Sequence, residues 1–140
     1  MKVYVDTSVL LRIVFGERSP LRQWRSIDVA ISSEIIRVEA LRTFDRARLS
    51  AKLSDEEVAE RRGNLLDVLS GFHLARLDRA VLRRAAEPFP TALRTLDALH
   101  LSTALLARRE HPSLVLATHD EELARAARAV GLRVLGARSA

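Results

Sequence analysis

The chain has 140 residues, enough for one domain with its own core. It contains 0 cysteines, which excludes disulfides, thiolate metal sites, iron–sulfur clusters and cysteine nucleophiles. With 23 Lys+Arg against 18 Asp+Glu the net charge is +5, a balance that favours an acidic partner, nucleic acid foremost, while only 4% aromatics argues against broad stacking of single-stranded bases.

The predicted elements alternate between short apolar runs and longer helical patterns. Lys2–Asp6 reads as a buried strand, Thr7–Glu17 as a helix and Leu21–Arg25 as a second, short helix. Asp28–Ser32 is the next strand, after which Ser33 is expected to cap a helix running to about Leu49. Ser54 to Glu57 has the capping-box pattern and opens a helix to about Leu69, stopped by Gly71. Phe72–Leu77 is a strand, and Asp78 caps a helix that Pro88 ends. Thr95 is expected to cap a helix to about Glu110, which Pro112 breaks. Leu114–Thr118 is a strand, Thr118 and Glu121 form the capping box of a last helix ended by Gly131, and Leu132–Leu135 is the fifth strand. This order predicts an α/β domain with a parallel sheet covered on both faces, whose ligands bind beyond the carboxyl ends of the strands. No apolar run is long enough to cross a membrane. The opening run has no cleavage-site pattern and is interrupted by Asp6, so a cytoplasmic location is expected.

Most acidic residues sit in first turns of helices or on solvated faces, but four do not. Asp6 ends the first strand, where a carboxylate is either a helix cap or a site residue. Asp120 repeats that placement after the fourth strand, with the capping box as the competing explanation. Glu39 shares a helix face with Ile35 and Ile36, so its carboxylate needs a partner such as a buried arginine, a raised pKa or an open cleft. Asp97 lies on the row of Leu101 and Leu105, either facing inward or serving the dipole of its own helix. Four carboxylates meeting at one place would repel, and a divalent cation relieves that; all-oxygen acidic ligands suit Mg²⁺ or Mn²⁺ rather than zinc. Setting these four aside leaves 14 acids against 23 cations, a surplus of +9. Only Lys2 and Lys52 are lysine, so the other 21 cations are arginine, the side chain best matched to phosphate. An acidic pocket in a basic shell suits a phosphodiester substrate. Of the four histidines, His100 follows Asp97 by three and is able to face the same cleft, although a buried structural histidine is the commoner outcome. No GxGxxG or GxxxxGK[ST] loop occurs.

The segments VYVDTSVLLRIV, SSEIIRVEALRTF, RTLDALHLSTALL and LVLATHDEELARAARAVGLRVL, in this order and spacing, resemble the PIN-domain ribonucleases, in particular the VapC-type toxins of bacterial toxin–antitoxin pairs. The resemblance spans nearly the whole chain and implies one PIN domain over residues 1–140, a three-layer fold with a five-stranded parallel sheet between helices. It implies a Mg²⁺- or Mn²⁺-dependent endoribonuclease that leaves a 5′-phosphate and a 3′-hydroxyl. Asp6, Glu39, Asp97 and Asp120 stand where that family holds its metal, with Ser8 and Thr118 as supporting hydroxyl residues. A homodimer and a cognate VapB-type antitoxin are implied as well. The apolar surplus of Val9, Leu10, Leu11, Ile13, Val14 and Phe15 fits such partners, unless that helix is simply buried all round. Residues 51–90 carry no strong family motif. Two other readings compete. A receiver-type phosphotransfer domain needs a lysine near the fifth strand, which Lys2 and Lys52 do not supply. A catalytically silent RNA-binding or regulatory PIN domain would keep the scaffold without the cleavage.

Overall fold

In the computed structural model, which describes residues 1–138, five strands form one sheet: β1 (Lys2–Val5), β2 (Val29–Ser33), β3 (His73–Ala75), β4 (Val115–Ala117) and β5 (Arg133–Leu135). All neighbouring pairs are parallel and the spatial order is β3-β2-β1-β4-β5. The helices are α1 (Thr7–Phe15), α2 (Ile35–Ala51), α3 (Asp55–Ser70), α4 (Arg79–Ala86), α5 (Thr95–Glu110) and α6 (Glu121–Ala129). The expected α/β sheet between two helical layers is what the chain forms.

The alternation of side chains along a strand builds the layers. Tyr4 and Leu116 point to one face and pack with Leu101 and Ala104 of α5 and Leu123 and Ala127 of α6. Val3, Val5 and Ala117 point to the other face, with Val9 of α1 and Leu21. Behind α1, Leu10 joins Ile36, Ala40 and Phe44 of α2 and Leu65 and Leu69 of α3. The apolar surplus of α1 is thereby largely absorbed. Leu11, Val14 and Phe15 lean on the α2–α3 cluster, and the Phe15 ring stacks on Phe44 with centroids 6.0 Å apart.

Local differences from the sequence expectations have simple causes. Helix α1 stops at Phe15, two residues short of Glu17, because Gly16 turns left-handed with φ 62°. The helix expected at Leu21–Arg25 is a single 3₁₀ turn at Trp24–Ser26. Ser33 belongs to β2; its hydroxyl still accepts the Ile35 N–H at 3.3 Å, but the residue at the cap is Glu34, whose own carboxylate accepts the N–H of Leu77 at 2.9 Å. Thr95 is the first helical residue of α5, and Arg94 before it makes no side-chain cap. Strand β3 covers three residues instead of six because it is an edge strand paired only with Ile31–Ser33. The capping box of Ser54 and Glu57 and the cap by Asp78 form as expected.

Chain order fixes where a site can stand. The chain adds β2 and β3 on one side of β1, then crosses over to add β4 and β5 on the other. The switch point is therefore the crevice between the carboxyl ends of β1 and β4. There the N–H of Asp6 donates to the Ala117 carbonyl at 2.9 Å.

Candidate active site at the β1–β4 switch point

Asp6 follows β1 and caps α1 in an extended conformation, and it is 5% exposed. Its Oδ2 accepts from Ser8 Oγ at 2.6 Å and from Thr118 Oγ1 at 2.8 Å. Each hydroxyl has one proton, which goes to Asp6, so its lone pairs are left to accept. Ser8 Oγ accepts the His119 N–H at 3.0 Å, and Thr118 Oγ1 accepts the Asp120 N–H at 3.0 Å. The two hydroxyls splint Asp6 to the turn that carries Asp120. Oδ2 is thus consumed, while Oδ1 takes no part in these bonds and lies 3.8 Å from His100 Nε2.

Asp120, and not the expected Thr118–Glu121 box, caps α6: its Oδ1 accepts the Leu123 N–H at 2.9 Å. Asp97 projects from the first turn of α5, and a cleft of about 300 Å³ is lined by Arg94, Asp97, Asp120, Glu121 and Glu122. Glu39 enters from α2, where its Oε1 accepts from Thr7 Oγ1 at 3.0 Å and from His100 Nε2 at 2.5 Å. Among the described residues no buried arginine pairs with it.

His100 is fully buried and links two layers. Its Nδ1 lies 2.7 Å from the Tyr4 hydroxyl, whose oxygen accepts the Ser33 N–H at 3.1 Å. With a neutral ring the bonds run in one sense, from Ser33 N–H to Tyr4, from Tyr4 O–H to Nδ1, and from Nε2–H to Glu39. Burial disfavours the imidazolium, but the Glu39 hydrogen bond and the charges of Asp6, Glu39 and Asp97 outweigh it, holding His100 above its ordinary range. Burial also pushes the Tyr4 hydroxyl up, keeping it a neutral donor. Sequence reasoning placed His100 in reach of the cleft without assigning it a part. It missed Tyr4 and Thr7 altogether, whose only signal was the polar handle on a strand and a hydroxyl beside Asp6.

The four acids belong to one electrostatic neighbourhood. Asp97 is pushed up to about 6, first by partial burial, then by the charges of Asp120 and Asp6, with Glu39 adding and His100 opposing. Among the described residues no three acidic or histidine side chains are already gathered at ligand distance around one point. The donor set nonetheless fits a hard divalent cation: the free oxygens are carboxylate oxygens, and they repel one another until a cation joins them. A concavity of about 570 Å³ runs elsewhere, along the β2–β3 face between Lys2, Leu74, Leu106 and His111, and none of the four acids lines it.

This repulsion has a measurable sign. The folded pKa of Asp97 lies above its unfolded value of 3.8, so its favourable contribution is present below that value and is lost as pH rises through about 6. In metal-free protein, Asp97→Asn should therefore raise Tm by a few degrees at pH 7.5 and by much less at pH 4. A melting temperature for the variant that is equal to or below that of the original chain at pH 7.5, measured with chelator, would contradict the convergence of the four acids.

A five-stranded parallel sheet with acidic side chains near its switch point defines the class as an α/β domain with an acidic crevice at the carboxyl ends of its central strands. The chain belongs to the PIN-domain family, which matches residues 3–129. Ribonuclease VapC46 of Mycobacterium tuberculosis (strain ATCC 25618 / H37Rv) is 32% identical over 137 residues, 95% of either chain. Ribonuclease VapC35 of Mycobacterium tuberculosis (strain CDC 1551 / Oshkosh) is 48% identical over 67 residues, a match that spans 44% of this chain and only half of that relative. The crystal structure of PAE2754 from Pyrobaculum aerophilum superposes with a TM-score of 0.59 at 24% identity, covering 96% of this chain and 83% of the other, a likeness of fold.

Proposed function

We propose that this protein is a VapC-type endoribonuclease, a single PIN domain whose Asp6, Glu39, Asp97 and Asp120 hold Mg²⁺ or Mn²⁺. The observation that carries this reading is the pairing of a ribonuclease relative matched over 95% of either chain with an Asp97 raised by burial and by the charges of Asp120, Asp6 and Glu39. A bound divalent cation lowers the pKa of water and stabilises negative charge at the scissile phosphate. The chain's own residues prepare the site for that. Ser8 and Thr118 hold Asp6 with one oxygen committed and one free. Thr7 and His100 hold Glu39 by Oε1, leaving Oε2. Asp97 and Asp120, which line the same cleft, are the carboxylates placed to orient the attacking water. Hydrolysis by water leaves the ribose 2′-hydroxyl unused, so the products carry a 5′-phosphate and a 3′-hydroxyl.

A toxin of this kind is kept silent by a VapB-type antitoxin, and a homodimer is the expected assembly. An inhibitor that points an Arg or Lys at the four acids would compete with the cation, so excess Mn²⁺ should weaken inhibition. No described helix is long and apolar enough to cross a membrane, and a cytoplasmic site of action fits an RNA substrate.

Purified protein incubated with total RNA should cleave in Mg²⁺ or Mn²⁺ and stop on chelation, with end mapping giving 5′-phosphates. Cyclic phosphate ends, or cleavage that persists in chelator, would rule this chemistry out. RNA binding without cleavage under every metal condition would favour the silent regulatory domain.

A further inference from the structure

A second concavity adjoins the carboxylates on the β5 side. It encloses about 560 Å³ and is lined by Arg12 of α1, Arg22 and Gln23 of the turn after it, His119, Glu121 and Arg138. Glu121 also walls the acidic cleft, and His119 precedes Asp120, so the two hollows meet along the 119–121 turn.

The wall formed by residues 136–138 is fixed on three sides. His119 Nδ1–H donates to the Gly136 carbonyl at 2.8 Å, Arg128 Nη2 to the Ala137 carbonyl at 3.4 Å, and the Arg138 N–H to Glu121 Oε1 at 3.2 Å. Gly136 has φ 91°, and a Cβ there would meet the Thr118 carbonyl at 2.7 Å, so this segment lies tight against the turn that carries Asp120. On the opposite wall, Arg12 donates to the Ser19 carbonyl at 3.3 Å and lies 3.9 Å from Glu17. Arg22 and Arg138 are exposed and have no carboxylate partner among the described residues. One acid, Glu121, lies in the hollow, and the Arg138 backbone already draws on its Oε1.

Three arginines from separated parts of the chain thus line one hollow beside the acidic cleft. A hollow with Arg84, Arg108 and Arg109 sits at the far ends of α5 and α6, and one with Arg42, Arg48 and Arg62 lies between α2 and α3, where Arg42 and Arg48 already pair with Asp45; neither shares a residue with the acidic cleft. We propose that the hollow lined by Arg12, Arg22 and Arg138 is a subsite for a backbone phosphate of the RNA strand flanking the scissile one. It sets the direction of the strand across the cleft. The guanidinium fork matches phosphate oxygens, and such contacts position a strand without reading its sequence. The inference rests on the ribonuclease reading above.

Binding and cleavage test it separately. Arg22→Gln and Arg138→Gln are exposed changes that should leave Tm unaltered. In chelator, with a fluorescent single-stranded RNA, each should weaken binding roughly 3–10-fold and reduce the slope of log K against log[salt] by about 0.7. With Mn²⁺, each should raise KM for that RNA at unchanged kcat. Hydrolysis of bis(p-nitrophenyl) phosphate, which has no flanking phosphate, should not change. Arg109→Gln in the distant hollow is the control and should match the original chain throughout. The proposal is overturned if Arg22→Gln and Arg138→Gln bind with the original affinity and salt slope, or lose no more than Arg109→Gln. A chain that cleaves neither RNA nor the model diester defeats the ribonuclease reading instead, while the binding arm still decides the subsite.

Discussion

Asp6→Asn should lower Mg²⁺-dependent RNA cleavage by two or more orders of magnitude while leaving the fold intact. The amide that replaces the carboxylate would keep the oxygen that accepts from Ser8 and Thr118, and so remain splinted to the 118–120 turn. What it loses is the negative charge of the oxygen left free by those two bonds, and a neutral amide is a poor ligand for a hard dication. Glu39→Gln, Asp97→Asn and Asp120→Asn should show losses of the same kind. These losses should be accompanied by weaker Mn²⁺ binding in calorimetry, separating a site defect from misfolding. Wild-type turnover in all four variants would remove the site assignment altogether.

The second large effect concerns His100. Truncating it to Ala empties a fully buried position and strands two polar groups, the Tyr4 hydroxyl and Glu39 Oε1. Cavity and lost hydrogen bonds together should destabilise the protein by about 2–4 kcal/mol. Leu refills much of the volume but makes neither bond, so His100→Leu should fold better yet bind Mn²⁺ about 10–100-fold more weakly, because Glu39 is no longer aimed. Gln presents an amide oxygen and an amide N–H at a separation close to that of the two ring nitrogens. His100→Gln should therefore recover part of the metal affinity that His100→Leu loses. If Leu and Gln bind Mn²⁺ as tightly as His, the residue is only core packing.

The parts legible in the sequence were those written in local periodicity. KVYVD, LVLAT and the Ser54 capping box each declare their element, and Asp97 and Asp120, two of the four acids singled out in the sequence, line one cleft. The hydrogen bonds that hold those acids were not legible. Tyr4 and His100 are 96 positions apart, and Thr118 and Asp6 are 112 apart; each pair meets only because of which strand lies beside which. Asp120 shows the limit in the other direction. The Thr118–Glu121 spacing fits a capping box, yet Thr118 is diverted to Asp6 and the cap passes to Asp120. The carboxylate therefore caps α6 and lines the acidic cleft at once, where the sequence presented cap and cleft as alternatives. Strand β3 was overextended because an apolar run says nothing about how many partners an edge strand will find.

The position of β1 also bears on the order in which the protein can be made. Within this domain β1 is the first strand to be made and the most central in the sheet, but one of its two neighbours, β4, begins only at Val115. Until β4 has emerged, β1 has a bare edge and Asp6 has no Thr118 to hold it. Closing so long a loop is slow compared with local helix formation, so the centre of the sheet is completed late. A nascent chain with α1, α2 and α3 already coiled still has no assembled cleft. On the proposed reading, the cleft that would cut RNA is thus assembled only after most of this domain has been synthesised.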